Sequence, residues 1–290
     1  MLETVMIKTS PFHLYRRLVF ACAIFVAPAL FAQDTVKPLR ALLITGGCCH
    51  DYEHQKDILK QGLEARANVT VDIIYVPDSN TRPALPIYGH PDYANGYDVV
   101  IHDECAADVN DPAVIQGVLK PHQDGIPGVN LHCAMHCYRF GDFTKPLPVD
   151  APNAHWYEYL GLQSSGHGPQ EPIAITFTDK SHAITTNLTD WTTIHEEHYN
   201  NVQVFDTAHA LAHGTQVINN ALGQPQRTND FVVAWVNLYK GKTRVFSTTI
   251  GHNNETVSDP RYLDLVTRGL LWACDKLGDD GKPKPGYGPK

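Results

Sequence analysis

The sequence has no surplus of positive charge: 23 Lys and Arg stand against 31 Asp and Glu, a formal net charge of −8. Binding to phosphate backbones needs clustered Lys and Arg, so no nucleic-acid partner is expected. Neither a GxGxxG fingerprint nor a P-loop follows the first apolar run of the body of the chain, only "GGCCHD", so no nucleotide is expected either. There is no CxxC pair, no zinc-finger spacing and no HExxH, which removes the local signatures of a metal site. Internal repeats and linker-like shifts of composition are missing too, which favours one domain. Beyond the first thirty or so residues no run is long and apolar enough to span a bilayer, which takes about 20 residues.

What is present begins with an address. Lys8, Arg16 and Arg17 form a basic front, residues 18–30 ("LVFACAIFVAPAL") a short apolar run, and Ala32 a small-residue exit. That order describes a secretory signal peptide over 1–32, and hence a periplasmic or secreted protein with no membrane attachment after cleavage. Cys22 lies too close behind the arginines to be a lipoprotein cleavage site. A short linker, 33–39, leads to a domain over 40–277, and "GDDGKPKPGYGPK", 278–290, has the composition of a disordered tail. An exported chain is free to form disulfides, yet Cys48, Cys49, Cys105, Cys133, Cys137 and Cys274 show no disulfide-scaffold spacing. Cys48 and Cys49, being adjacent, suit a mutual disulfide poorly. The 16 histidines are many for this length and favour metal or proton chemistry without locating it.

Apolar runs at 40–45, 69–76, 97–104 and 126–132 read as strands, with helical patterns at about 54–66 and at "DPAVIQGVLKPH" between them. Strands alternating with helices imply an α/β fold whose parallel sheet is flanked by helices on both faces. Sites in such sheets lie beyond the carboxyl ends of the strands. Three of those ends, "TGGCCHD", "IHDEC" and "LHCAMHC", each carry His and Cys. Further on, 172–178 reads as a strand, 202–213 and 229–238 as strand-like, and "LYKGKTRVFSTTIGH" as a hairpin turning on Gly241 with a strand over 244–250. Residues 259–277 form an amphipathic helix opened by Asp-Pro.

The C-terminal "RVFSTTIGHNNETVSDPRYLDLVTRGLLWA", with "YDVVIHDE", "GVNLHCA" and "EEHYN" before it in order, resembles the ThuA-like family named for trehalose utilisation, over about residues 40–277. The resemblance implies the flavodoxin-like fold of class I glutamine amidotransferases and a role in carbohydrate metabolism. It also puts His132 at the strained turn where amidotransferases expose a cysteine nucleophile. Cys133, one residue along, points elsewhere, so thiol amidase chemistry is a weak alternative.

His132, Glu197 and His252 are therefore the expected catalytic residues, and the same three the expected ligands if a zinc-like divalent metal is used. His50, Asp51, Glu104, Tyr199, Asn253 and Glu255 are expected to contact substrate, with Tyr138 and Trp156 as further rings for a sugar. Glu196 precedes the main acidic position, and His195 and His198 share a face if "HEEHYN" is helical. The expected partner is a small carbohydrate. The expected function is a sugar hydrolase or isomerase, with a non-catalytic carbohydrate-binding or accessory protein as the competing reading. A homo-oligomer stays open.

Overall fold

"RALLITGG" has β-branched and aliphatic residues at successive positions, the pattern of a strand buried on both faces, and in the computed structural model it forms β1, Leu39–Gly47. The structure describes residues 36–290 together with 1, 2, 4 and 6–9, the latter without helix or strand. Apart from those few, the expected signal peptide lies outside the described residues. Val36–Lys290 forms one compact unit. Among the described residues no helix is long and apolar enough to cross a membrane.

After β1 come α1 (Tyr52–Glu64), β2 (Val69–Val76), β3 (Val99–Cys105), α2 (Pro112–Asp124) and β4 (Gly128–Leu131). A 3-10 turn over His132–His136 leads to α3 (His155–Leu160), the short β5 (Leu162–Gln163), β6 (His167–Phe177) and β7 (Trp191–Tyr199). Then follow β8 (Gln203–Val204), β9 (Ala208–Asn219), β10 (Pro225–Tyr239), β11 (Thr243–Thr248), α4 (Asn254–Val257) and α5 (Pro260–Ala273). Both Asp-Pro helix starts behave as read: Asp111 and Asp259 accept hydrogen bonds from the backbone N–H two residues on, and each proline fills the first helical position.

Nine strands make one sheet in the order β2-β1-β3-β4-β11-β10-β9-β6-β7. The first five are parallel, and their order by appearance among themselves is the flavodoxin-like 2-1-3-4-5. The remaining four join antiparallel, so the sheet is mixed rather than parallel throughout. Alternation along β1 sorts the core. Ala41 and Leu43 pack with Leu59, Leu63, Val266 and Leu270 under α1 and α5. Leu42 and Ile44 pack with Val118, Leu119, Trp156 and Tyr159 under α2 and α3.

In a flat sheet four strand spacings of about 4.8 Å would hold β7 about 19 Å from β11. Yet Glu197 on β7 lies 3.4 Å from His252, just past β11. The antiparallel half must therefore curl, and its strands carry the irregularities that allow it: register breaks in β10 around Ala234 and in β6 around Gly168–Pro169 and Ile173.

Two expectations fail here. "HEEHYN" is not helical but the end of an edge strand, because its partner β6 supplies a ladder that no local periodicity announces. The tail is not free: Leu277 pairs with Pro283, and Asn68, just before β2, donates to the Gly286 carbonyl, which fastens it to the body of the fold.

Candidate active site

Beyond the carboxyl end of β4 the chain turns sharply, and His132 takes a left-handed φ of +42°. Non-glycine residues adopt that conformation at a cost and mostly where it serves to aim a side chain. The His132 Nδ1 lies 2.6 Å from the Thr249 carbonyl, which only accepts, so Nδ1 carries a proton and Nε2 is the nitrogen left to face the site. That Nε2 faces Glu197 Oε2 at 3.5 Å and the Tyr199 hydroxyl at 3.4 Å.

His252 reaches the same point from β11. Gly251 precedes it with φ +134°, and a Cβ there would come within 2.9 Å of the Tyr262 hydroxyl, so glycine alone permits the approach. The turn is held by Glu196, whose carboxylate accepts the His252 N–H at 3.1 Å. The His252 Nδ1 stands 3.4 Å from Glu197 Oε1, and Gln170 meets its Nε2 at 2.8 Å. His50, three residues past β1, completes the group, with ring centroids 4.7 Å from His132 and 4.8 Å from His252. The ligand-type atoms of His50, His132 and His252 all lie within 4.8 Å of one another, close enough to share an ion.

Charge separates the members. Burial works to raise Glu197, but the imidazoles of His132 and His252 beside it prevail and hold it well below the usual carboxylate range. Burial works to lower His252, yet the adjoining Glu197 carboxylate raises it above its ordinary value. Burial, with His132 and His252 alongside, pushes His50 down to about 2, so it stays neutral. One permanent anion, one neutral imidazole and one readily protonated imidazole thus stand together.

The structure tests the metal expectation through its donor set. The Nδ1 atoms of His50 and His252 are buried without a hydrogen-bond partner, and His132 has Nε2 left to face the site. Three imidazoles with spare nitrogens fit a borderline divalent ion. Glu197 stands against His132, His167 and His252 alike, at 3.4 to 3.5 Å, as much an orienting partner as a ligand.

An open cleft of about 430 Å³ leads to this point, lined by Cys49, His50, Asp51, His252, Asn253, Asn254 and Glu255. Asp51 is fixed by His54 and Asn254, and Asn253 donates to the His195 carbonyl. Two expected substrate contacts are elsewhere. Glu104 is fully buried because the two-residue period of β3 puts it beside His102, where it also accepts from Tyr138. Tyr199 is 1% exposed, its ring stacked on His136 at 4.1 Å, so it supports His132 from below and has no face for a sugar. Tyr138 and Trp156 are buried core. Cys133 is buried against Cys105 and Tyr52, off the axis of the turn, so the geometry gives it no nucleophile's position. His167 and Gln170 were not singled out in the sequence. Their signal is the pairing of β6 with β7, His167 with Tyr199 and Gln170 with Glu197, which crosses a long loop.

Several histidines are buried in the neutral state: burial pushes His122 to about 3, His198 to about 4 and His136 well below its ordinary value, as it does His50. The unfolded chain takes up these protons near pH 6.5, so their stability is present above that pH and lost as pH falls toward the folded values. Each contributes about 1.4 kcal/mol per pH unit over its window. Buried Asp103, raised well above the carboxylate range, opposes them in part. Urea unfolding at pH 7 and pH 5 should show a clear drop in midpoint at pH 5; an unchanged midpoint would refute this.

The sequence model of a family described as ThuA, trehalose utilisation, matches residues 40–273. Two solved ThuA-like proteins share the fold. One, from Parabacteroides merdae, is 19% identical over 88% of this chain and 98% of its own, with a TM-score of 0.58. The other, from Bacteroides uniformis, is 16% identical over 85% and 95%, also at 0.58. A glutamine amidotransferase from Thermotoga maritima is 11% identical over 83% and 100%, at 0.44. No curated protein matches the chain.

Proposed function

The chain belongs to the ThuA family, described by trehalose utilisation, and from that premise we propose that it is an exported enzyme acting on a disaccharide, glycoside or keto-sugar by hydrolysis or isomerisation. The observation that carries the reading is the convergence of His50, His132, His252 and Glu197 from four distant segments at one point, with His50 and His252 lining the open cleft and His132 and Glu197 buried behind them. His252, raised by Glu197 and facing the cleft, is the group that takes and returns a proton. Glu197 stays ionised and stabilises the imidazolium that forms. Asp51, Asn253 and Glu255 on the rim supply acceptors and an amide for sugar hydroxyls. In the alternative to that proton transfer, His50, His132 and His252 would hold a zinc-like divalent ion, whose part would be to polarise an oxygen of the substrate or acidify a water.

The test combines metal analysis with turnover. The purified protein should carry about one divalent ion per chain, and a panel of disaccharides and keto-sugars should include a substrate whose turnover falls on chelation and returns with zinc. Finding neither ion nor turnover on a wide panel would sink the reading. Export rests on the basic front and apolar run of residues 1–32; N-terminal sequencing of the protein from a periplasmic fraction should begin at Gln33.

A further inference from the structure

Behind Cys49, on one side of the cleft, lies a buried group of sulfurs. Cys48 and Cys49 are joined as a disulfide, contrary to the expectation from their adjacency. The chain accommodates it by giving Cys49 a left-handed φ of +84°. Cys48 Sγ lies 3.6 Å from Cys105 Sγ, and Cys133 packs against the same cluster beneath Tyr52. The approach is set by the backbone. Gly47 pairs with Cys105 in the parallel ladder of β1 and β3, and a Cβ on Gly47 would fall 2.3 Å from the Cys105 carbonyl. Only glycine there lets the next residue's sulfur settle on that of Cys105. Cys105 is a buried free thiol, whereas Cys49 is exposed in the cleft immediately before His50.

We propose that Cys48, Cys49 and Cys105 form a thiol–disulfide exchange site that opens Cys49 as a reactive thiol in the cleft. Once the Cys105 side chain has turned into line with the Cys48–Cys49 bond, its thiolate attacks Cys48 Sγ, the Cys48–Cys105 bond forms, the Cys48–Cys49 bond breaks, and Cys49 leaves as the thiolate. The Cys105 proton passes to solvent or to Cys49, so the count of thiols and disulfides is unchanged and no outside oxidant or reductant is needed. A hydrogen bond from Cys133 holds the Cys105 thiol below its ordinary value, which favours the attacking form. The freed Cys49 takes small disulfides, by mixed-disulfide formation, and soft electrophiles. Exchange also removes the ring that ties Cys49 to Cys48, one residue from His50.

The experiment needs no activity assay, so it stands or falls apart from the proposed enzyme. Native protein, free of reductant, is incubated with iodoacetamide at pH 8, denatured, and mapped by peptide mass spectrometry. Cys49 should acquire label with time while Cys48 appears linked to Cys105. Cys105→Ser should abolish both, leaving Cys48–Cys49 intact. As a check that does not depend on that variant's folding, Cys49→Ser treated with diamide should give the Cys48–Cys105 disulfide, two thiols being oxidised as diamide becomes the hydrazine. If Cys49 stays unlabelled in the wild type, or Cys48 and Cys105 both stay free in oxidised Cys49→Ser, the proposal is overturned.

Discussion

His132→Ala is expected to lower turnover about 1000-fold or more while leaving the fold intact. The side chain is 2% exposed and its two nitrogens have separate duties. Nδ1 is spent on the Thr249 carbonyl, which fixes the ring. Nε2 is aimed at the point where Glu197, His50 and His252 meet. Removing it takes away the ring nitrogen that faces Glu197 and, with it, the imidazole that helps keep that carboxylate ionised. The cost to stability is one buried hydrogen bond and a small cavity, about 2 kcal/mol, which a domain of this size tolerates. Turnover on whichever sugar the panel identifies, with unfolding in urea measured in parallel, separates the readings. Retained turnover overturns the enzyme site. Weakened sugar binding with no activity to lose marks the carbohydrate-binding alternative instead.

Gly47→Ala is expected to cost about 3 kcal/mol or more. The position has φ +103°, which an L side chain rarely adopts, and its new Cβ would stand 2.3 Å from the Cys105 carbonyl. Neither partner is a flexible side chain, so relief means parting β1 from β3 at the carboxyl end of their parallel ladder. Gly223→Ala is the matched control: its φ is +73°, but nothing lies within 4 Å of the added Cβ, so only the backbone cost of about 1 kcal/mol should appear. Equal midpoint shifts for the two variants in urea would show that the close approach does not matter.

The parallel half was legible because its strands and helices alternate, and the helix starts because Asp-Pro states its own chemistry. His132 and His252 were legible because each follows a strand directly, so position along the chain reports position in space. What was not legible depends on pairing across long separations. "GG" reads as the start of a turn, but β1 runs on through Gly46 and Gly47, and the glycines serve the neighbours on either side: Val76 for one, Cys105 for the other. Glu104 looked like a strand-end carboxylate, and only the packing of α2 and α3 decides that its face of β3 is the core. His167 and Gln170 reach the site solely through β6–β7 register. The vicinal disulfide depends on a conformation of Cys49 that composition does not announce.

β11 has a consequence for how the chain is made. It enters between β4 and β10, pairing Val245 with Gly128, 117 residues earlier. Until β11 is synthesised, β4 presents an unpaired edge, the kind of surface that invites association between nascent chains. Closing that gap is a long-range parallel pairing and therefore slow. His252 follows it by only a few residues, so the cleft cannot capture a ligand before the sheet is joined, and ligand binding becomes a report that translation has passed β11 and the parallel half has closed.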